Sequence, residues 1–309
     1  MKLEFVSAAG LRLAVWEWPG AGPPLLFAHA TGFHGRMWDH IIREFPGRRA
    51  LALEFRGHGR SAKPAPPIPW RWFAEDILAV ARHFDLRGAV GVGHSMGGHA
   101  LAEAAALRPD AFAALLLADP VIFPAHLYGA PGPDVSFILR RRNRWASSAE
   151  MFERFRPRLP FAAWPEEVVR NYCDYALLPD AEGYVLACPP QVEASIYRES
   201  QAPESNIAAA LATLRQPVTI LRAGKAWQPG VFDPTSSPTA PDIAAWFPNA
   251  HEVFLAESNH FIPMEAPHVM VREIRAALAF ILVAQAMGYV MVLLLGLPCV
   301  YVLKRRRGP

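Results

Sequence analysis

The pentapeptide Gly93-His94-Ser95-Met96-Gly97 constrains the fold more than any other part of this sequence. An apolar run at residues 89–92 precedes it, and an alanine-rich run at residues 98–107 follows it. The first run is typical of a buried strand and the second of a helix. A serine flanked by glycines at such a junction indicates a sharp turn that exposes the serine hydroxyl. The sequence therefore predicts a strand, a tight turn and a helix, with Ser95 as a nucleophile.

A nucleophilic serine needs a base to accept its proton, and His260 is the candidate. It follows a strand-like run at residues 251–255 and precedes a helix that we expect to begin near Pro267. An imidazole can accept and return a proton near neutral pH. The chain contains 11 histidines. We favour His260 because it follows a late strand, from which its ring can reach the serine.

The sequence leaves open which carboxylate orients His260. No carboxylate directly follows the strand predicted at residues 217–224, where such an acid is usual. Asp119 ends the strand predicted at residues 113–118, and Asp233 lies further along the later loop. We favour Asp119, since the carboxyl ends of parallel strands collect at one edge of a sheet. Either aspartate could instead be an ordinary turn residue.

Strand and helix patterns alternate along most of the chain, which predicts an α/β fold. We expect a mostly parallel central sheet with helices on both faces. Between residues 120 and 205, proline-rich turns separate amphipathic stretches, which indicates an inserted helical cap. The predicted cap helices cover residues 135–145, 148–155, 166–175 and 191–199. The predicted domains are a core at residues 1–119 and 206–282, a helical cap at residues 120–205, and a hydrophobic tail at residues 283–309.

Two features of the cap have both a functional and a structural interpretation. Its aromatic side chains could line a substrate pocket or could form the core of the cap. The arginine-rich run at residues 140–144 is typical of a solvated helix face, or else contacts an anionic group. The four candidate pocket residues are Phe123, Phe161, Trp164 and Tyr184.

Several segments resemble landmarks of α/β-hydrolase-fold enzymes of the single-domain, helical-cap type. His29-Ala30-Thr31-Gly32 is similar to the His-Gly oxyanion loop of that family. Residues 54–61, Glu-Phe-Arg-Gly-His-Gly-Arg-Ser, resemble its Asp-x-Arg-Gly-x-Gly-x-Ser turn. The serine pentapeptide and the loop around His260 complete the likeness, which covers about residues 3–282.

The resemblance implies that the backbone N–H groups of Met96 and Thr31 form an oxyanion hole. It also implies a serine hydrolase that cleaves carboxylic esters through an acyl-enzyme, with a triad of Ser95, His260 and an acid, for which we favour Asp119 over Asp233. A serine in place of aspartate argues against dehalogenase and epoxide hydrolase chemistry. Three departures from the family pattern are Ala30 for glycine, Glu54 for aspartate, and the displaced acid.

Other activities of the same fold remain as alternatives. They are lysophospholipase, thioesterase and carbon–carbon bond hydrolase activity. Because the acid is displaced, a catalytically silent ligand-binding protein is a further alternative. We expect a small-molecule ester substrate and neither a metal nor an organic cofactor.

Composition and charge fit a globular enzyme. The 309 residues suffice for one large core plus an insertion, and the net charge of +3 does not suggest nucleic-acid binding. Cys173, Cys188 and Cys299 give no disulfide framework, which favours a reducing compartment. The N-terminal residues do not follow the pattern of a secretory signal, so we expect a cytoplasmic protein.

The C-terminal segment is unusually apolar. Residues 276–303 contain no charged side chain, and four basic residues follow at 304–307. We expect the last helix of the domain to end near Leu282. The remaining stretch, residues 283–303, is about long enough to span a bilayer. The sequence therefore predicts membrane association through this tail. The alternatives to a spanning helix are a helix that lies on the membrane, a helix packed on the domain, and a tail that is not native to the fold.

Overall fold

A central sheet of eight strands organises the molecule, whose computed structural model describes residues 1–227 and 233–295. The strands of the chain are β1 Lys2–Ala8, β2 Leu11–Trp18, β3 Ala21–Ala28, β4 Arg48–Glu54, β5 Ala89–His94, β6 Phe112–Ala118, β7 Arg144–Trp145, β8 Leu177–Asp180, β9 Gly183–Leu186, β10 Val218–Ala223 and β11 Ala250–Leu255. The order in the central sheet is β1-β2-β4-β3-β5-β6-β10-β11. Strand β2 is antiparallel to β1 and β4, and the strands β4, β3, β5, β6, β10 and β11 are parallel to one another.

Helices cover both faces of this sheet. The helices are α1 Asp39–Ile42, α2 Arg71–His83, α3 Met96–Leu107, α4 Ser136–Leu139, α5 Ser148–Phe155, α6 Glu166–Tyr175, α7 Pro190–Glu199, α8 Ala208–Leu211, α9 Ile262–Glu265 and α10 Pro267–Leu295. Side chains of β3 alternate between the faces: Leu26 packs with α2 and α3, whereas Leu25 and Phe27 pack with α1 and α10. A parallel sheet needs this cover on both sides, since both faces are apolar. The predicted α/β architecture is confirmed.

The segment proposed as a cap lies between β6 and β10, and its helices differ in part from the sequence prediction. Helices α5, α6 and α7 lie at the predicted positions. The helix predicted at residues 135–145 is wrong in extent, because only Ser136–Leu139 is helical. Arg144 and Trp145 instead pair with β9 in a small antiparallel sheet of order β7-β9-β8. We retain residues 120–205 as the proposed cap.

The last helix is longer than the sequence predicted. Helix α10 continues through Leu282 to Leu295, the last described residue, since the uncharged run between them offers no helix-stopping proline. Ile274, Leu278 and Ile281 are buried against the sheet, whereas the side chain of Leu282 is half exposed. Among the described residues, no helix is both long enough and apolar enough to cross a membrane. The rest of the predicted membrane segment, residues 296–303, lies outside the described part of the chain.

Candidate active site

Ser95 sits on a strained turn between β5 and α3. Its backbone has φ 58° and ψ −121°, in the region that favours glycine. The flanking glycines permit this turn, because the backbone of β3 and of the helix start approach closely. A Cβ atom on Gly97 would lie 2.2 Å from the carbonyl oxygen of Ala28, and one on Gly93 would lie 2.6 Å from the Gly97 oxygen. The hydroxyl of Ser95 therefore stands at the carboxyl edge of the sheet.

The ring of His260 lies against this hydroxyl. His260 Nε2 is 2.9 Å from Ser95 Oγ. The backbone of His260 is fixed on both sides, since its N–H donates to the Thr235 carbonyl at 2.9 Å and its carbonyl accepts from His94 Nε2 at 2.9 Å. Burial lowers the pKa of His94 well below its usual value. A neutral His94 can donate with Nε2, and so it holds the loop of the candidate base.

Asp119 lies on the other side of the His260 ring. His260 Nδ1 is 2.7 Å from Asp119 Oδ2, and Asp119 is fully buried. The second carboxylate oxygen, Oδ1, accepts hydrogen bonds from the Ala223 N–H at 3.0 Å and the Ser237 hydroxyl at 2.7 Å. The carboxylate is thus fixed by the end of β10 and by the loop that contains Ser237. Ser95, His260 and Asp119 form one continuous hydrogen-bonded row.

Asp233, the alternative acid, has different partners. Its Oδ2 lies 2.8 Å from Lys225 Nζ, and its Oδ1 accepts from the Thr235 hydroxyl at 2.6 Å. Burial raises the pKa of the Asp233 carboxyl, but these hydrogen bonds and the ammonium outweigh it and lower the pKa to about 2. No hydrogen bond joins Asp233 to His260 within the described residues.

Thr31 and Met96 lie next to each other beside Ser95. The Thr31 hydroxyl is 3.4 Å from Met96 Sδ. In the described part of the chain, neither backbone N–H donates a hydrogen bond to another protein group. Met96 is the first residue of α3, where N–H groups have no partner within the helix. Both N–H groups are therefore available to a bound oxyanion, and their catalytic role stays a prediction.

Two cavities meet beside Ser95 and His260. One has a volume of about 360 Å³ and is lined by Trp70, Phe123 and a proline-rich stretch at residues 130–134. The other has a volume of about 310 Å³, and nearly half of its lining residues are phenylalanine, tyrosine or tryptophan. We name them the proline lobe and the aromatic lobe. Both are bordered by Thr31, Ser95 and His260, so a bound molecule can extend on both sides of the serine.

The structure separates the candidate pocket residues. Phe123 lines the proline lobe, while Phe161 and Trp164 line the aromatic lobe. Tyr184 lies on β9 with 38% of its surface exposed and lines neither lobe. Within the arginine-rich run, Arg141 reaches the aromatic lobe and pairs with the buried Glu193.

Some site residues escaped the sequence analysis. Ser237 lies in a serine- and proline-rich stretch that resembles an ordinary turn, and His94 occupies a variable position of the pentapeptide pattern. Cys173 and Cys188 are buried and unpaired. Within residues 1–227 and 233–295, no group of three or more histidine, cysteine, aspartate or glutamate side chains could hold a metal ion.

A sequence model of the alpha/beta hydrolase family matches residues 25–273, well over half of the chain. The chain belongs to the alpha/beta hydrolase family. The fold, the serine turn and the histidine loop described above are those that the sequence resemblance predicted.

Curated relatives match shorter stretches. A non-heme chloroperoxidase of Streptomyces lividans is 35% identical over 31% of this chain and 36% of its own length. Lipase LipV of Mycobacterium tuberculosis is 38% identical over 36% of this chain and 43% of its own length. The matches thus span less than half of these relatives.

Solved structures match over most of the chain. The crystal structure of E-2-(acetamidomethylene)succinate hydrolase has a TM-score of 0.71 and 20% identity, and the match covers 90% of this chain and 99% of that one. At this identity the likeness shows the fold.

Proposed function

We propose that this chain is a serine hydrolase that cleaves small carboxylic esters through an acyl-enzyme intermediate. The observation that carries the proposal is the hydrogen-bonded row of Ser95, His260 and Asp119. A strained serine, a base within 2.9 Å and a buried carboxylate behind the base are the parts that acyl transfer requires.

The first half of the reaction forms the acyl-enzyme. Ser95 Oγ attacks the ester carbonyl carbon while His260 Nε2 accepts its proton. Asp119 stabilises the imidazolium through Nδ1. The N–H groups of Met96 and Thr31 donate to the oxyanion of the tetrahedral intermediate, aided by the positive end of α3. Collapse of this intermediate breaks the ester bond, and the alcohol leaves with the proton from His260.

Water completes the cycle. His260 takes a proton from a water molecule, whose oxygen attacks the acyl carbon. The same donors stabilise the second oxyanion. The acid leaves, and Ser95 recovers its proton from His260. No step requires a metal or an organic cofactor.

The two lobes support an ester with a substantial group on each side of the carbonyl. The proline lobe is mainly apolar, and the aromatic lobe offers rings together with the Arg141–Glu193 pair. Their volumes of about 360 and 310 Å³ lie near the lower end of ligand pockets, about 300–1,000 Å³, which favours small substrates over long-chain lipids.

Thioesterase, lysophospholipase and carbon–carbon bond hydrolase activity stay as alternatives with the same row of residues. A silent ligand-binding protein would gain nothing from holding His260 between a serine and a buried carboxylate. The intact row therefore supports an enzyme over such a protein.

Covalent labelling with a fluorophosphonate probe tests the proposal, because an activated serine reacts with it. Wild-type protein should be labelled and should hydrolyse p-nitrophenyl esters, with short acyl chains preferred. The matched control is Ser95→Ala, which should show neither reaction. Wild-type protein that resists the probe and turns over no ester would overturn the proposal.

Two further predictions from the sequence concern location. The first is that the protein is cytoplasmic, and the second is that residues 283–303 associate with a membrane. Removing the residues after Leu282 tests the second.

A further inference from the structure

Two buried histidines bond to the peptide groups on either side of Thr31. His29 Nδ1 lies 2.8 Å from the carbonyl oxygen of Ala30. His58 Nε2 lies 3.0 Å from the backbone nitrogen of Gly32. Because a carbonyl only accepts and a backbone N–H only donates, His29 donates from Nδ1 and His58 accepts at Nε2. The loop that contains the proposed oxyanion donor is thus held by a ring at each end.

The remaining ring nitrogens fix the same assignment of protons. His29 Nε2 lies 3.1 Å from the Phe55 nitrogen, so it accepts from that N–H. His58 Nδ1 lies 3.1 Å from the carbonyl oxygen of Arg56, so it donates. Each ring therefore carries one proton, on Nδ1. Burial lowers the pKa of His29 to about 4 and that of His58 well below its usual value. Both rings are neutral near pH 7.

Peptide geometry links these bonds to the Thr31 N–H. The Ala30 carbonyl and the Thr31 N–H belong to one planar peptide group and point in opposite directions. A ring that holds the carbonyl therefore also sets the direction of the N–H. The next peptide group ends in the Gly32 N–H, which His58 holds. Two successive peptide planes around the Thr31 Cα are thus fixed.

The packing of Gly32 leaves the loop few other positions. Gly32 has φ +78°, and a Cβ atom there would lie 2.9 Å from Oε1 of Glu193 in the cap. His58 approaches from the turn that follows β4 and is fully buried. The loop therefore lies between the cap and the ring, and the Gly32 N–H donates to His58 Nε2, with the buried Cys188 thiol as a second neighbour of the same N–H.

We propose that His58 is a positioning residue for the proposed reaction: its Nε2 holds the Gly32 N–H and so keeps the Thr31 N–H aimed at the oxyanion. This inference rests on the proposed esterase function. The side chain of His58 acts through the loop and makes no contact with substrate. Its removal should cost transition-state stabilisation and leave ground-state binding almost unchanged.

Three variants separate positioning from a general structural role. His58→Phe and His58→Met remove the acceptor with different shapes, and His58→Gln returns an amide oxygen near the Nε2 position. Each is assayed for kcat and KM on p-nitrophenyl acetate and for inhibition by a trifluoromethyl ketone. Ser95 adds to the carbonyl carbon of this inhibitor, its proton passes to His260, and the ketone oxygen becomes the oxyanion. Melting temperature and circular dichroism report whether each variant is folded.

We expect the folded acceptor-free variants to lose about 10- to 100-fold in kcat, less than loss of a whole oxyanion donor. KM should change less than twofold, and affinity for the ketone should fall by about the same factor as kcat. His58→Gln should recover most of both losses. Unchanged kcat and ketone affinity in a folded acceptor-free variant would overturn the proposal, as would a loss of kcat that Gln does not recover.

The activity of the wild-type protein distinguishes a failure of this inference from a failure of the proposed function. If wild-type protein hydrolyses the ester and reacts with fluorophosphonate while the variants match it, only the role of His58 is wrong. If wild-type protein does neither, the esterase proposal itself fails.

Discussion

His260 Nδ1 lies 2.7 Å from Asp119 Oδ2, although 141 residues separate the two in the chain. Asp119 follows β6, next to the strand that leads to Ser95, and not the later strand β10. Strand β10 still contributes, because its Ala223 N–H donates to the same carboxylate. The candidate acid therefore follows β6 and not its neighbour β10, but its carboxylate still lies beside the His260 ring.

Asp119→Asn should lower kcat by roughly four orders of magnitude, because an amide favours the wrong tautomer of His260. The decisive measurement is kcat on p-nitrophenyl acetate with circular dichroism to confirm folding. Asp233→Asn is the matched control, and it should cost less than about threefold in kcat, a small effect beside that of a triad residue. The reverse ranking would make Asp233 the acid and leave Asp119 a structural residue.

Local patterns explain what the sequence could predict. The glycines around Ser95 and the strand before His260 each define a turn within about ten residues, so both residues could be named from their own surroundings. The choice between Asp119 and Asp233 depends on which loop reaches the imidazole ring. That depends on strand order, which a single sequence does not show.

Other features depend on contacts between residues that are far apart in the chain, so they could not be predicted from the sequence. Strands β7, β8 and β9 are two to four residues long, too short for a periodic pattern. Ser237 is one hydroxyl in a turn-like stretch, and only its contact with Asp119 distinguishes it. The end of α10 was misplaced because an uncharged run does not distinguish the part packed on the sheet from its continuation.

Ser237→Ala should weaken the triad without removing a member. The Ser237 hydroxyl donates to Asp119 Oδ1 at 2.7 Å, and a buried hydrogen bond to a charged group contributes about 1.5–3 kcal/mol. We expect kcat to fall about tenfold, with KM nearly unchanged, if half or more of this energy acts in the transition state.

Thr239→Val is the control for Ser237→Ala. Its buried hydroxyl also lies on this loop but donates to the Pro120 carbonyl and not to the Asp119 carboxylate. Both variants should lose some stability on denaturant unfolding, and only Ser237→Ala should lose turnover. Equal kcat values for the two variants would show that Ser237 does not support the acid.

The free energy of unfolding should fall steeply in mild acid, because the buried, neutral histidines gain protons when the chain unfolds. Their folded-state pKa values are lowered by burial, to about 4 for His29 and His99 and about 3 for His34. The unfolded chain binds more protons below its histidine pKa of about 6.5, so stability is present above that pH and lost as pH falls toward 4. The buried histidines with lowered pKa are His29, His34, His40, His58, His94 and His99.

Urea unfolding at pH 7.5, 6.0 and 5.0 measures this effect. Each such histidine contributes up to about 1.4 kcal/mol per pH unit below pH 6.5. His99 is buried, with its ring against Trp70 and its Nε2 2.9 Å from the Ser205 carbonyl oxygen, and it serves as the test site. His99→Gln should lower the slope by about one proton. A free energy of unfolding that stays constant from pH 7.5 to 5.0 would contradict the prediction.

A chain that ends at Leu282 should fold and keep ester turnover within about twofold of the full chain, since the side chains described after Ile281 are exposed and changes at exposed positions usually alter stability little. Among the side chains of α10 whose burial the structure describes, the last buried ones are Leu278 and Ile281, while Leu282 and Val283 are 52% and 57% exposed. A chain that ends at Arg275 is the control. It loses Leu278 and Ile281, each worth about 2–5 kcal/mol when buried, and should unfold at a much lower temperature.

The same pair of chains tests membrane association. Apolar segments of about 20 residues partition into bilayers, so the full chain should remain with the membrane fraction after carbonate extraction. The chain ending at Leu282 should stay in the supernatant. If the full chain is also recovered in the supernatant as a monomer without detergent, the segment after Leu282 packs on the domain. If the shorter chain instead aggregates or loses turnover, that segment belongs to the core, and the domain does not end at Leu282.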